Sequence, residues 1–445
     1  MLTVLLVGVF SSAFPTTLLS ASLPDIAKDL ETSTSVITWV QTAPAIAFAV
    51  GMPFFGKLGD LYGHRRAFIY GFAGLAVSAL LTSLAWSAGA LIAFRCLGQM
   101  SGAATSTAAF GLIAAVFERE ERVKAIGTYS SVLAISPVIA VVAGGPLVEA
   151  VGWRLLFVFQ CALALVAVLA AIPVLPETPR RESKGFDVAG AFTLGLGVTA
   201  LLFSINRGNP WGWDHAMVLA GFVVGPVSLI AFVFIERGRE SPLLPLEFFR
   251  HRNFSAALVT NSIVHMSYIG GFTIAPFLVN RLFHYGTYKT SLVIAVRPVL
   301  FSAGAWWASR TAGRVGVRVT QITGGLFLTA GSLITAWAAA AASLPLLVVG
   351  LGVVGLGVGY GRPANTAAVT NAVDERDVGI ATGVLNMMAQ IGSAVGVTIL
   401  LAYVGDSMSA TVFTGASLLA AAIAAVSVGT ATLLRSDAKM RPSER

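Results

Sequence analysis

The chain has 445 residues, 56% hydrophobic and only 11% charged; an ordinary soluble domain carries about 25% charged residues, so a water-soluble enzyme, a secreted disulfide scaffold and a disordered chain are all excluded. Its net charge of +8 would suggest nucleic acid on a soluble protein, but on a membrane protein basic residues collect in cytoplasmic loops and set orientation, so nucleic acid is not an expected partner. Cys96 and Cys161 sit inside apolar runs with no CxxC, and the five histidines form no HExxH or paired array, so no metal centre and no cofactor are expected.

About 20 apolar residues cross a bilayer. On that basis the chain divides into fourteen helical spans: 3–23, 36–56, 67–87, 89–115, 124–147, 154–174, 187–205, 216–235, 255–279, 288–306, 319–341, 345–365, 380–403 and 411–433. The first has no basic segment ahead of it and stays apolar to Leu23; despite Ser20-Ala21-Ser22, it reads as a membrane helix and not a cleaved signal. The longest loop runs only from 236 to 254, which leaves no room for a soluble domain. In hydrocarbon the backbone must satisfy its own hydrogen bonds, as helices do. The loops at 57–66, 116–123, 175–186, 236–254, 307–318 and 366–379, with Lys124 and the tail after 434, carry 21 Lys and Arg. The opposite loops carry five (Lys28, Arg154, Arg207, Arg281 and Lys289), and three (Arg95, Arg297 and Arg362) fall inside spans. This bias places both termini in the cytoplasm of a plasma-membrane protein.

Gly56, Asp60, Gly63 and Arg65 recur in spacing as Ser309, Gly313, Gly316 and Arg318, 253 residues later, each set leaving a span for a cytoplasmic turn. The pattern fits two homologous halves, by which transporters build a site at the membrane midplane. The run Gly56-Lys-Leu-Gly-Asp-Leu-Tyr-Gly-His-Arg-Arg66 resembles the loop signature of the major facilitator superfamily. Fourteen spans resemble its drug:proton antiporter group, which has two extra central helices. So do the stretches Trp39-Val-Gln-Thr, Val148-Glu-Ala-Val-Gly-Trp-Arg154, Trp211-Gly-Trp213, Pro242-Leu-Leu-Pro-Leu-Glu-Phe-Phe-Arg250, and Gly379-Ile-Ala-Thr-Gly-Val-Leu-Asn386 with Gln390. The resemblance implies an all-α polytopic membrane protein of the major facilitator fold: a six-helix bundle over 1–175, two inserted helices over 187–235, and a second six-helix bundle over 255–434.

The 56–66 loop has a physical logic of its own. Gly56 and Gly63 permit close helix approach and a tight turn, and Asp60 can accept hydrogen bonds from helix-end amides or a nearby Arg. With Arg65 and Arg66, the cluster is expected to latch the cytoplasmic face in one conformation; the alternative is a plain basic turn. Family members usually carry a basic residue where Leu61 stands, and the second copy has Gly313 in the Asp place, which implies a weaker or one-sided latch. In the fifth span, Ala140–Gly145 occupies the frame of the family's Gly-Pro-x-x-Gly-Gly pattern without its Pro. Pro137, one turn earlier, reads either as a displaced kink or as ordinary packing.

Charges within spans are costly and are functional candidates by default. Arg95 matches the family's Arg-x-x-Gln-Gly pattern, although Gln99 stands one position late; Arg95 is expected to take part in proton coupling or to hold helices together. Arg297, before Pro298, and Arg362, before Pro363, either face the interior or snorkel to the interface. His265, the one His in mid-span, is either a protonation switch near neutral pH or a neutral side chain bonded within the packing. Trp39, Gln41, Asn386 and Gln390 match family positions on helices that line the cavity. Trp306, Trp307, Tyr268 and Met266 offer pliable aromatic surface, or packing and an interfacial belt. The glycines of 350–361 lie in an apolar helix without the Lys and strand of a phosphate loop and suit tight packing or bending.

All 21 acidic residues fall in loops or at span ends. Pro15 stands where the antiporter group usually has an Asp in its first span, and Asp25 lies just past that span. Proton coupling therefore falls to Arg95, to His265, to a rim carboxylate such as Asp25 or Asp60, or to the substrate itself. Buried Arg without buried acid favours anionic or neutral amphiphiles over lipophilic cations, unless backbone carbonyls neutralise the guanidiniums. The expected activity is export of hydrophobic or amphiphilic small molecules by a lipid-embedded monomer driven by a proton gradient, with no covalent chemistry. A facilitator or importer of an organic anion, and a non-transporting membrane receptor or lipid-binding protein, are the rival readings.

Overall fold

The computed structural model describes residues 1–32, 39–117, 121, 125–129, 131–133, 136, 139, 152–178, 187–239, 242–285, 287–374, 377–405 and 409–435, without the side chains of 13–25, 27, 41, 42, 287, 288 and 291. Within these limits the chain forms α-helices α1 Leu2–Asp29, α2 Trp39–Tyr62, α3 His64–Ser83, α4 Ala88–Val116, α5 Trp153–Val174, α6 Val188–Trp211 and α7 Ala216–Arg237. After a 3-10 turn at Leu246–Arg250 come α8 Arg252–Phe283, α9 Thr287–Val315, α10 Val317–Ala340, α11 Leu344–Thr370, α12 Val378–Val404 and α13 Ala410–Ala431. Each coincides with an expected span; the fifth span, with Pro137 and the 140–145 frame, lies mostly outside the described residues. Among the described residues, ten helices are long and apolar enough to cross a membrane. Several overrun their apolar spans, α6 to Trp211 and α9 to Val315, because hydropathy marks the hydrocarbon crossing while the helix continues into the interface.

The chain forms two compact units: Met1–Glu118 with Ser136–Leu246 and Asp374–Met387, and Arg119–Ile135 with Glu247–Val373 and Met388–Arg445. In the first, α4 packs on α2 and α3, α5 on α1 and α3, and the α6–α7 hairpin on α2 through α6. In the second, α11 packs on α9 and α10, and α13 on α8 and α10.

In the first unit, α3 and α5 each begin Gly-X-Arg, and each Arg reaches the carbonyl end of the other helix. Arg65 donates to the Ile172 carbonyl at 2.7 Å and to Glu177 at 2.6 Å. Arg154 donates to the Ala85 carbonyl at 3.1 Å and to Asp29 at the end of α1. A cation there satisfies orphan carbonyls and opposes the helix dipole. The Arg154 hydrogen bond holds the Asp29 carboxyl, beyond the first apolar span, below its ordinary range. That tie is therefore in place at neutral pH and is lost only as pH falls through the lowered pKa.

The two copies of the spacing motif end in the same turn. Gly63 (φ 95°) joins α2 to α3 and Gly316 (φ 88°) joins α9 to α10, a left-handed backbone that favours glycine. In the second unit the glycines of 350–361 set the helix crossings. Gly355 and Gly359 lie against the Arg297 and Phe301 carbonyls of α9, while Gly350 and Gly357 meet Gly331 and Gly324 of α10 in reciprocal pairs. Small residues give membrane helices the close contact that water-driven association cannot supply in lipid. A Cβ at Gly359 would collide with the Phe301 backbone, whereas one at Gly89 meets nothing. Gly359→Ala should lower stability by about 1–3 kcal/mol, read as an earlier melting transition in detergent, while Gly89→Ala leaves it unchanged or slightly raised; equal melting of the two contradicts this packing.

Candidate functional site

At the end of α2, buried Asp60 accepts a hydrogen bond from the Ile380 backbone N–H at 3.2 Å. Ile380 lies in the first turn of α12, where unpaired N–H groups and the helix dipole favour an anion. Glycines permit the approach: a Cβ on Gly56 would lie 2.6 Å from the Gly379 carbonyl oxygen, and one on Gly379 would lie 2.5 Å from Asp60 Oδ1. His64 Nε2 stands 3.2 Å from Asp60 Oδ1, its ring in a slot bounded by Gly59 and Gly111, and its backbone N–H donates to Thr178 Oγ1 at 2.8 Å. Of the loop residues singled out, Gly56 and Asp60 therefore meet α12. Gly63 sets the turn, Arg65 ties α3 to α5, and Arg66 is exposed. His64 and Gly379 were missed by sequence reasoning; the four-residue spacing of Gly379 and Gly383 was the available signal, since Gly383 likewise abuts the Met52 carbonyl of α2.

A polar cavity in the first unit is lined by Ser12, Ser78, Thr82, Arg95, Gln99 and Gln160, with Phe94 and Phe157. Arg95 and Gln99 thus share one cavity. Arg95 is buried; its Nε donates to the Val40 carbonyl at 3.4 Å, and its guanidinium stands 5.7 Å from the Phe157 ring centre. Arg207, expected in an outer loop, is instead buried inside α6. Its guanidinium lies 3.6 Å from the Trp39 ring centre and 5.9 Å from that of Trp211, and Phe203 stacks on Trp39 at 5.6 Å. The aromatic faces replace part of the hydration the cation loses, and they dock α6 on α2. The apolar run ends before Arg207, so hydropathy gave no sign of its burial; the Trp211-Gly-Trp213 stretch beside it was the available one.

In the second unit Arg297 is 2% exposed, which excludes snorkelling. It donates to the Tyr268 carbonyl and lies 4.2 Å from the Tyr268 ring centre, and it lines a cavity with Ser267, Ser332, Thr335 and Ser417. A second cavity there is lined by Asn261, His265, Gln321, Arg362 and Asn365. Arg362, half-buried, is one of the residues that line this cavity. His265 is buried, and its Nδ1 bonds the Asn261 carbonyl at 2.8 Å. Among the described residues, no carboxylate lies within ion-pair distance of Arg95, Arg207, Arg297 or Arg362. Backbone carbonyls meet one donor each of Arg95 and Arg297, the expected alternative in part, but a carbonyl dipole leaves the net charge in place.

The other residues singled out are scattered. Asn386 donates to the Thr382 carbonyl of its own helix at 2.9 Å, and Gln390 is half-buried one turn on. Trp306 and Trp307 are both exposed, with Arg310 3.6 Å from the Trp306 ring centre, which suits a belt at the interface and not a cavity wall. The side chains of Asp25, Gln41 and Pro15 lie outside the described residues.

The sequence profile of the Major Facilitator Superfamily matches residues 5–397 and again 261–443. The tetracenomycin C resistance and export protein of Streptomyces glaucescens is 29% identical over 74% of this chain and 61% of its own length. Multidrug transporter protein MdtP of Bacillus subtilis is 24% identical over 86% of this chain and 71% of its own. The chain thus spans about three-fifths to seven-tenths of these relatives. Among solved structures, the human organic anion transporter MFSD10 superposes with a TM-score of 0.68 at 16% identity over 95% of this chain and 98% of that one. The proton:xylose symporter XylE gives 0.63 at 15% over 95% and 94%; both likenesses speak to fold. With a profile match across most of its length, the chain belongs to the Major Facilitator Superfamily, and the two relatives named here are export and multidrug transporters by name.

Proposed function

We propose that the chain exports hydrophobic or amphiphilic small molecules across the plasma membrane by alternating access, as a monomer coupled to the proton gradient, with both termini in the cytoplasm. The relatives named for drug export support the substrate class, and the excess of Lys and Arg in alternate loops supports the orientation. The observation that carries the charge preference is the set of buried guanidiniums without a carboxylate partner among the described residues. Such an interior attracts anionic and neutral amphiphiles and repels lipophilic cations. The same observation favours a second reading, a facilitator or importer of an organic anion with no obligatory proton.

The two readings separate in proteoliposomes. Uphill movement of an amphiphilic dye should vanish when the proton gradient is collapsed if the chain is an antiporter; a facilitator shows only downhill flux, with or without the gradient. His265 is the proposed proton carrier of the interior, with Arg95 and the rim carboxylate Asp25 as further candidates. His265→Ala should abolish gradient-driven uptake while leaving downhill flux, and unchanged coupling removes His265 from the mechanism. Arg95→Gln should shift relative flux toward cationic amphiphiles by about tenfold, the scale of one charge interaction of ~1.4 kcal/mol; an unshifted ratio contradicts the electrostatic role.

The Asp60–Ile380 contact is the proposed latch, holding the start of α12 against the 56–66 loop in one conformation and releasing it in the other. A carboxylate at a helix N-terminus is worth roughly 0.5–2 kcal/mol, enough to bias a two-state cycle severalfold. Asp60→Ala should change the rate of dye flux severalfold at unchanged expression; wild-type flux would leave the loop a simple basic turn.

A further inference from the structure

We infer that the cavity between α8, α10 and α11 binds one monovalent anionic group, an inorganic halide or the carboxylate of a transported molecule, through Arg362. The Arg362 guanidinium makes no hydrogen bond or ion pair to a described residue; the Phe301 ring centre lies 6.0 Å from its carbon, and Tyr129, His265 and Tyr268 lie close enough to act on it electrostatically. It differs in this from Arg297, which is bonded to the Tyr268 carbonyl. A guanidinium carries five donors and no acceptor, and leaving them unmet away from bulk water is costly.

The rest of the cavity wall points to the same ligand. Gln321 and Asn365 are 3% and 2% exposed, and Gln321 Oε1 and Asn365 Oδ1 are buried without a partner. Neither carboxamide bonds to a described residue, so a half-turn of each sets its NH2 where its oxygen stands. His265 Nδ1 faces a carbonyl, which only accepts, so Nδ1 carries the proton; in the neutral ring Nε2 is an acceptor, and the donors for an anion are Arg362 and the two carboxamides. Arg362 is the one charged side chain of the lining, and no Asp or Glu is among it. A cation would meet Arg362 unshielded, and an apolar group would strand three unpaired polar side chains. An anion takes the guanidinium in a charge-assisted bond and the two amides beside it. Glycines of α10 and α11 form part of the walls, and this small pocket falls far below the ~300–1,000 Å³ of drug-sized pockets. It suits an ion or a headgroup. The inference rests on the export reading only for the carboxylate; a halide would bind whether or not the chain transports.

The test uses the full chain in detergent, melted in chloride, bromide or acetate against isethionate at constant ionic strength. Chloride or acetate should raise the melting temperature saturably, chloride alone indicating a free ion and both a carboxylate site. Arg362→Gln should weaken the apparent affinity about tenfold or more, and Arg310→Gln, on the exposed Trp306, should leave it unchanged. Asn365→Leu and Gln321→Leu, each weakening it severalfold, guard against a misfolded Arg362 variant. Identical melting in all four anions, or titrations that Arg362→Gln does not alter, overturn the site. Dye flux measured in parallel separates the two readings: anion-dependent melting without flux supports the site and overturns export, while flux without anion-dependent melting does the reverse.

Discussion

A guanidinium taken out of water must find other dipoles, and the structure depends on how it does so. Four arginines lie in or against the interior, and among the described residues none is matched by a carboxylate. Arg207 lies over Trp39, Arg297 over Tyr268 with the Tyr268 carbonyl, and Arg95 near Phe157 with the Val40 carbonyl. Ring quadrupoles and carbonyl dipoles stabilise a cation without cancelling its charge. The field therefore remains, and in a low-dielectric setting it acts over a longer range than it would in water. Arg362 has the Phe301 ring but no carbonyl bonded to its guanidinium among the described residues, which leaves donors for a ligand.

Glycine contacts fix where those charges stand. Backbone lies on backbone where α11 crosses α9 and α10, where α12 meets α8 at Gly392 and Gly396, and where α12 meets α2 at Gly379 and Gly383. At such crossings a methyl group cannot be added without moving a helix. These backbone contacts set the helix spacing at each crossing. Asp60 adds a polar tie to one such crossing, and a helix N-terminus is a natural receiver for it.

The helices were legible because the bilayer imposes one length and one composition on each crossing. Their ends were less so: α6 continues through Asn206 and Arg207 to Trp211, and aromatic cover, not hydropathy, keeps Arg207 buried there. The Gly63 and Gly316 turns were legible from spacing, as both need a left-handed residue. The destination of Asp60 was legible as chemistry, a helix-end amide or an arginine, but its partner lies 320 residues away and no local pattern names it. Gln321 and Asn365 were missed because a single carboxamide hardly changes the hydropathy of a span. Arg95 and Gln99 share a cavity because four residues on a helix return to nearly the same face.

The central claim is that an interior holding uncompensated guanidinium charge selects its substrates by sign. It is tested most directly by competing two amphiphiles of identical tail, one with a carboxylate head and one with a quaternary ammonium head, for flux through the wild-type protein in proteoliposomes. The account predicts that the carboxylate is carried in preference and inhibits at lower concentration. Preferred transport of the quaternary ammonium compound would contradict it.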